Sequence, residues 1–204
     1  QKFDNLILKG GTAINRVYIK NKRFSEDIDF DIISSEDLKH TLIKTKEIIK
    51  YLTDLEVDKP RIMKESIRYD LFFINPLNHK DRVMLEFKPV KNAKSYSKKI
   101  INFGFVPCES SLLNVYDVEE LIKSKIKCIL TRLEGKDLFD LYYLLDLKKI
   151  KIPKQEKEAL IKRFQLDEEK IRNVANVINH YIPRNDRPNW SIFLKELAEK
   201  VNDS

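Results

Sequence analysis

Two stretches of this sequence decide its fold: residues 6–13, Leu-Ile-Leu-Lys-Gly-Gly-Thr-Ala, and residues 25–31, Ser-Glu-Asp-Ile-Asp-Phe-Asp. In the first stretch a short apolar segment ends at two adjacent glycines, a pattern typical of a strand that turns into a helix. In the second, acidic and apolar residues alternate, which predicts a strand with one acidic and one apolar face. Together they predict an α/β region with a glycine turn after one strand and an acid pair on the next.

The glycine turn is a candidate phosphate site. Gly10 and Gly11 let the backbone approach a ligand closely, and the helix beyond them offers free N–H groups and a positive dipole end. Thr12 adds a hydroxyl donor, and Lys9 adds a cation just before the turn. The spacing fits neither a Walker A loop nor the GxGxxG fingerprint. Taken alone, the pattern leaves a purely structural turn as the alternative.

The acid pair is a candidate metal site. Asp27 and Asp29 share one strand face, with Cα atoms about 6.5–7 Å apart, and Ser25 has the same parity. Two ionised carboxylates repel each other unless a cation intervenes, and Mg²⁺ is held by one or two carboxylates together with substrate phosphates. A calcium loop is excluded because Ile32 stands where that loop requires glycine. A solvated acidic edge strand is the alternative, and we expect Asp31 to be solvated and outside the site.

A third carboxylate is expected on a neighbouring strand, because sites that hold two metal ions for phosphoryl transfer need one. Glu86 is the favoured candidate, since it is the only acid in the apolar segment Val83–Phe87. Asp70, in another apolar segment, is the competitor.

The rest of the sequence predicts an α+β protein with a mixed-sheet domain over residues 1–115 and a helical domain over residues 116–204. In the first domain we expect a short helix over Thr12–Ile19, a helix from Glu36 to Leu52 capped by Ser35, and strands over Val57–Met63, Ser66–Ile74 and Arg82–Phe87. In the second we expect five helices. The first opens with a capping box of Asp117 and Glu120 and runs to Leu133, and the next two cover Asp137–Leu147 and Pro153–Phe164. The fourth is capped by Asp167 and the fifth begins at Trp190.

The glycine turn and the acid pair together resemble the signature of DNA polymerase β-type nucleotidyltransferases. More closely, they resemble the AbiEii/AbiGii toxin family, which has a KGGTAL-like loop and then an arginine and Ser/Thr before DxDF. Here Lys9–Ala13 is followed by Arg23 and by residues 25–30. The family's further mark is a helical lysine and then Arg/Lys-Asp-x-x-Asp-Leu, which Lys125 and residues 136–141 match. The resemblance covers about residues 6–147, and its one departure, Ile14 for the usual leucine, is conservative.

This resemblance implies a nucleotidyltransferase-type sheet domain with flanking helices, and Mg²⁺-dependent transfer of a nucleotide from an NTP. It also implies a toxin that is paired with a cognate antitoxin, with tRNA the target class of several members. Lys125 is the counterpart of the family lysine and Asp137 of its acid. Lys125 and Arg132 share a helix face, from which they could neutralise triphosphate charge. The alternatives are that Lys125 and Arg132 are ordinary surface cations and that Asp137 caps its helix. For Asp140 we expect a structural role, paired with Lys136 or Arg132.

Composition narrows the class of protein further. The chain has 204 residues, 42% of them hydrophobic, and no apolar run that approaches the roughly 20 residues needed to span a membrane. Cys108 and Cys128 lack CxxC spacing, so we expect a reducing cytoplasm and no disulfide framework. The three histidines show no zinc spacing. The net charge of +7 permits a polyanionic partner.

A basic stretch, Lys91–Lys99, surrounds Tyr96. It could grip an RNA backbone while the tyrosine stacks on a base, and a solvated loop is the equal alternative. The sequence therefore predicts first an NTP-dependent nucleotidyltransferase toxin that acts on RNA. The second hypothesis is the same chemistry on a protein hydroxyl, and the third is a non-catalytic nucleotide-binding or RNA-binding module.

Overall fold

A computed structural model describes residues 3–34, 37–102, 110–165 and 168–204. Internal contacts divide the chain into two compact units, Gln1–Ala13 with Ser25–Tyr116, and Ile14–Phe24 with Asp117–Ser204. The first unit holds a mixed sheet and the second is helical, so the expected α+β class is confirmed. The segment Ile14–Phe24 groups with the helices, although a single cut near residue 115 would place it with the sheet.

Over the described residues of the first unit, eight strands form one sheet in the order β3-β5-β6-β2-β1-β8-β7, with β4 beside β5. β1 runs antiparallel to β2 and parallel to β8, and β2 runs parallel to β6. The strands are β1 Leu6–Lys9, β2 Asp27–Ile33, β3 Glu56–Val57, β4 Arg61–Ile62, β5 Ile67–Ile74, β6 Lys80–Val90, β7 Tyr96–Asn102 and β8 Ser110–Tyr116.

One face of the sheet carries the core of this unit, as the period-two pattern of β2 predicts. Ile32, Tyr69 and Phe87 are buried there, and the apolar side of helix α2, Leu38–Ile49, packs against them. Asp37 caps α2 by accepting hydrogen bonds from the backbone of the next helical residues. The expected cap, Ser35, lies outside the described residues. The opposite face carries Asp29 and Asp31 of β2, with the buried Ile7 of β1 beside them.

The structure differs from the strand predictions in three places. The segment predicted as one strand over Val57–Met63 is two short strands, β3 and β4, separated by a break at residues 58–60. β7 and β8 were not predicted. In β7, serine and two lysines follow Tyr96, and the strand occupies an edge, where polar side chains are common. Four of the nine residues of the basic stretch, Tyr96–Lys99, therefore belong to an edge strand.

The second unit is built from helices whose apolar sides pack together. They are α3 Val118–Thr131, α4 Gly135–Leu147, α5 Lys154–Phe164, α6 Glu168–Ile178 and α7 Trp190–Asn202, with single 3₁₀ turns at Asn179–Tyr181 and Arg184–Asp186. The helix predicted over Thr12–Ile19 is a turn of α-helix, α1 Gly10–Ala13, followed by a π-helical turn, Ile14–Tyr18. No described helix is long and apolar enough to cross a membrane.

The helix ends correct two sequence predictions. Asp117 is the N-cap residue of α3, but its side chain makes no capping hydrogen bond, so the predicted capping box is not formed. α4 begins at Gly135, two residues before the expected start. A Cβ added at Gly135 would lie 3.0 Å from the backbone oxygen of Val174, so the glycine lets α4 pack closely there. Asp167, the predicted cap of α6, lies outside the described residues.

Candidate active site

The polar face of the sheet collects the acids that the sequence singled out. Cross-strand pairing places Lys9 opposite Asp29, Asp29 opposite Glu86, and Glu86 opposite Arg68. Because paired residues project to the same side of a sheet, these four side chains form one row across β1, β2, β6 and β5. We call Lys9, Asp29, Glu86 and Arg68 the charge row. Asp27 has the same parity as Asp29 and lies on the same face, and both are half-buried.

Gly10 is in direct contact with this row. Its φ of +68° lies in the left-handed region that favours glycine, and a Cβ added there would overlap the Asp29 carboxylate oxygen and lie 3.1 Å from its carbon. Thr12, in α1, donates its hydroxyl hydrogen bond to the backbone carbonyl of Asp27. The glycine turn and the acid pair are therefore packed against each other. The sequence identified both features, but it could not show that the first glycine is needed for the contact with Asp29.

Replacing Gly10 by alanine should destabilise the sheet unit and displace the Asp29 carboxylate. The left-handed backbone alone should cost at least about 1–2 kcal/mol, and the overlap adds to it. The measurement is the free energy of unfolding from urea denaturation. Gly11→Ala is the matched control, since Gly11 lies in α1 without a positive φ. Equal stability of the two variants would contradict this account of Gly10.

Asp31 is not solvated, contrary to the sequence prediction. It is buried, and its carboxylate accepts hydrogen bonds from the Lys9 ammonium and, at 2.7 Å, from the Tyr116 hydroxyl. Tyr116 is brought there by β8, a strand that the sequence analysis missed and that pairs with β1. Lys9, which the sequence offered as a nucleotide ligand, is thus held by Asp31 beside Asp29.

Glu86 and Asp70 lie on the same polar face but in different surroundings. Glu86 is directly opposite Asp29 and forms an ion pair with Arg68, Nε to Oε2 2.5 Å. Asp70 lies opposite Met84, one strand further from β2, and is buried with the Arg61 guanidinium 2.7 Å from its Oδ2. Its Oδ1 has no hydrogen-bond partner among the described residues. Position favours Glu86 as the third acid of the site.

The described residues contain no group of three or more Asp, Glu, His or Cys side chains arranged to hold a metal ion by themselves. The register explains this, because Glu86 is committed to Arg68 on the side away from Asp29. The donor set of Asp27 and Asp29 still fits Mg²⁺, which needs only one or two carboxylates and takes its other ligands from water and substrate phosphates.

The second unit contains a buried cluster of charges. The Lys125 ammonium lies 2.8 Å from a carboxylate oxygen of Asp137 and 2.8 Å from one of Asp140. Arg23, from the segment that precedes β2, binds both Asp140 oxygens at 2.7 Å through Nε and Nη2. Arg132 donates to Asp137 at 2.9 Å. We call these residues the buried ion-pair cluster; all are buried except Arg132, whose side chain is 53% exposed.

Pairing within the cluster keeps Lys125, Asp137 and Arg132 in their charged forms. Burial by itself would lower the pKa of the Lys125 ammonium, but the Asp140 and Asp137 carboxylates outweigh it and raise that pKa. Burial would likewise raise the pKa of Asp137, but Lys125 and Arg132 hold it below its ordinary value. The Arg132 pKa is raised, chiefly by its hydrogen bond to Asp137. Opposite charges thus compensate the cost of burial.

Two alternative interpretations of these residues are wrong. Lys125 is a buried member of an ion-pair cluster and not a surface cation. Asp137 does not cap α4, whose N-cap residue is Glu134. Asp140 forms ion pairs with Arg23 and Lys125. Arg23 is part of the family motif, but no sequence spacing predicts that it binds Asp140, which lies 117 positions later.

Comparisons with known proteins identify the family of this chain. A family model described as the nucleotidyl transferase AbiEii toxin of type IV toxin–antitoxin systems matches residues 1–203. The chain belongs to the AbiEii nucleotidyltransferase toxin family. The family implies a nucleotide substrate and a cognate antitoxin. A search of curated proteins finds no match.

Solved structures share the fold of this AbiEii chain. JHP933 from Helicobacter pylori is similar with a TM-score of 0.60 and 19% identity, over 97% of this chain and 82% of that one. MenT4, a nucleotidyltransferase toxin from Mycobacterium tuberculosis, gives a TM-score of 0.60 and 16% identity, over 98% and 76% of the two chains. The expected nucleotidyltransferase-type fold is therefore confirmed.

Two further candidates have clear positions in the AbiEii chain. Ser25 is exposed and lies just before β2 begins at Asp27. In β7, Tyr96 and Lys98 project to the same side as Asn114 and Tyr116 of β8, which is the polar side of the sheet. The Lys98 Nζ lies 3.7 Å from Oδ1 of Asp4, and the Tyr96 side chain is partly exposed. The basic stretch therefore includes part of a strand whose polar face is continuous with that of the charge row.

Proposed function

We propose that this AbiEii-family protein transfers a nucleotide from an NTP to an RNA acceptor, with tRNA the favoured class, in a Mg²⁺-dependent reaction that its antitoxin restrains. The observation that supports this most is the contact of Gly10, in the proposed phosphate site, with Asp29, one of the two proposed metal ligands of β2. The RNA acceptor is supported by the net charge of +7 and by Tyr96 and Lys98 on the polar side of the sheet.

In the proposed reaction Asp27, Asp29 and Glu86 hold the metal. Bound Mg²⁺ would promote ionisation of the attacking hydroxyl and offset the charge of the leaving pyrophosphate. Gly10 and Gly11 present backbone to the triphosphate at a short distance, and Thr12 stiffens the turn by its bond to the Asp27 carbonyl. Lys9, held by Asp31, keeps a positive charge on the face where the phosphates would lie.

Lys125 and Asp137 remain proposed residues of the nucleotide site because they match the family motif, and Arg132 remains one because it shares a helix face with Lys125. Arg132 is the member of the cluster with the most exposed side chain, so it is best able to meet a phosphate. Lys125 and Asp137 would act on Arg132 by fixing its position, since Asp137 is bound by both cations. Ser25, exposed at the entry to β2, is a proposed hydroxyl donor to the nucleotide.

The experiment that tests this function is incubation with each α-labelled NTP, Mg²⁺ and either total RNA or protein lysate. Label that enters RNA, in a tRNA-sized band, supports the proposal. Label that enters protein would instead support transfer to a protein hydroxyl. The absence of label from every NTP in both acceptor pools would overturn nucleotide transfer and leave a binding module.

Glu86→Gln should reduce the rate of nucleotide transfer far more than Asp70→Asn. Glu86 lies beside Asp29, whereas Asp70 is one strand further away and neutralises Arg61. Asp70→Asn should instead lower the free energy of unfolding, because the carboxylate is buried. Initial rates at saturating NTP and urea denaturation of both variants separate the two effects. A larger rate loss in Asp70→Asn would assign the third acid to β5.

A further inference from the structure

Arg68 ends the charge row on the side away from the glycine turn. Its Nε donates to Glu86 Oε2 at 2.5 Å, and Glu86 is in turn opposite Asp29. A carboxylate that is bound by a guanidinium is a weaker ligand for a cation, because the two positive groups compete for the same oxygens. Arg68 therefore bears directly on whether Glu86 can join a metal site.

The ion pair is accessible enough to open. The Arg68 side chain is 35% exposed and that of Glu86 is 20% exposed, so water screens their attraction. An opened Arg68 would keep its planar guanidinium on the polar face of the sheet, where a phosphate group is a suitable acceptor. The same side chain can thus satisfy Glu86 in the absence of a nucleotide and a phosphate in its presence.

We propose that Arg68 is a positioning residue that withholds Glu86 from divalent metal until a triphosphate draws the guanidinium away. This inference rests on the proposed function, and it adds a reason for the metal to bind weakly without nucleotide. Without nucleotide, Asp27 and Asp29 hold the cation alone. With nucleotide, Arg68 exchanges the Glu86 carboxylate for a phosphate and Glu86 completes the ligand set.

A neighbouring arginine provides a matched control. Arg82 lies on β6, on the same sheet face, because it is opposite Phe72 in the strand that carries Arg68. Its ion-pair partner is Asp70, with Nη1 3.7 Å from Oδ1. Arg82→Gln removes the same charge from the same face without acting on the Glu86 ion pair. Comparison with it separates the competition for Glu86 from a general loss of positive charge.

The test measures Mn²⁺ binding without nucleotide, by electron paramagnetic resonance of free Mn²⁺, for the wild type, Arg68→Gln and Arg82→Gln. Arg68→Gln should bind Mn²⁺ on the order of threefold more tightly than Arg82→Gln, the amount expected from a partly exposed ion pair. In a Glu86→Gln background the advantage of Arg68→Gln should disappear. Urea denaturation of each variant checks that the fold is retained.

Equal Mn²⁺ affinities of the two arginine variants, or an effect of Arg68→Gln that persists in Glu86→Gln, would overturn the inference. Nucleotide transfer is measured on the same preparations. Transfer by the wild type with equal affinities in the variants removes only the role of Arg68. If no variant binds Mn²⁺, with or without NTP, and none transfers a nucleotide, the inference and the proposed function fail together.

Discussion

Asp27→Ala and Asp29→Ala should each abolish nucleotide transfer, with losses on the order of 10²–10³-fold or more, the scale seen when a group that stabilises transition-state charge is removed. The two carboxylates share one strand face beside the glycine turn, so the loss of either removes a ligand of the proposed metal. The free energy of unfolding should be unchanged or slightly higher, because a pair of like charges is relieved. Transfer of labelled nucleotide and urea denaturation measure the two effects.

Asp81→Ala is the control for loss of one negative charge from the same unit. Asp81 lies at the exposed start of β6, where its carboxylate accepts from the next backbone N–H. Its variant should transfer nucleotide at the wild-type rate. A soluble, folded Asp27→Ala variant with undiminished transfer would refute the metal site, whichever acceptor is used.

The acid face could be predicted from sequence because its information is local. A period of two in residues 27–31 fixes which side chains share a strand face, and two glycines fix where the preceding strand turns. The position of Glu86 was also predictable, since an isolated acid in an apolar strand must be compensated. Local sequence patterns do not predict which distant strands pair with each other, and β8 is an example. Tyr116 reaches Asp31 across 85 positions, and only the β1–β8 pairing makes Asp31 a buried residue.

The buried ion-pair cluster escaped prediction for the same reason. Its helical members, Lys125, Asp137 and Asp140, were noticed because they match a motif, but each had an ordinary surface interpretation. The deciding partner is Arg23, which comes from the loop between the glycine turn and β2. Charged residues are almost never fully buried unless they are paired, so their burial could be inferred only once the partner was known.

Asp140→Asn should destabilise the helical unit strongly, by about 3–5 kcal/mol, because it leaves Arg23 and Lys125 buried with less than their full counter-charge. Trp190, the only tryptophan of the chain, begins α7 in the same unit, so its fluorescence can follow urea unfolding. Asp146→Asn is the matched control, because Asp146 is an ion-paired aspartate of the same helix, α4. Unlike Asp140, both Asp146 and its partner Lys200 are partly exposed. An exposed pair of this kind is worth about 0–1 kcal/mol.

Comparing Asp140→Asn with Asp146→Asn also shows whether Asp140 acts on stability alone or on nucleotide transfer as well. If Asp140→Asn costs no more stability than Asp146→Asn, water must reach the cluster and burial does not govern it. If the variant is destabilised yet transfers nucleotide normally at low temperature, where the unit stays folded, Asp140 acts through stability alone. A loss of transfer in the folded variant would instead mean that Asp140 positions Lys125, because the ammonium is shared between Asp140 and the motif acid Asp137.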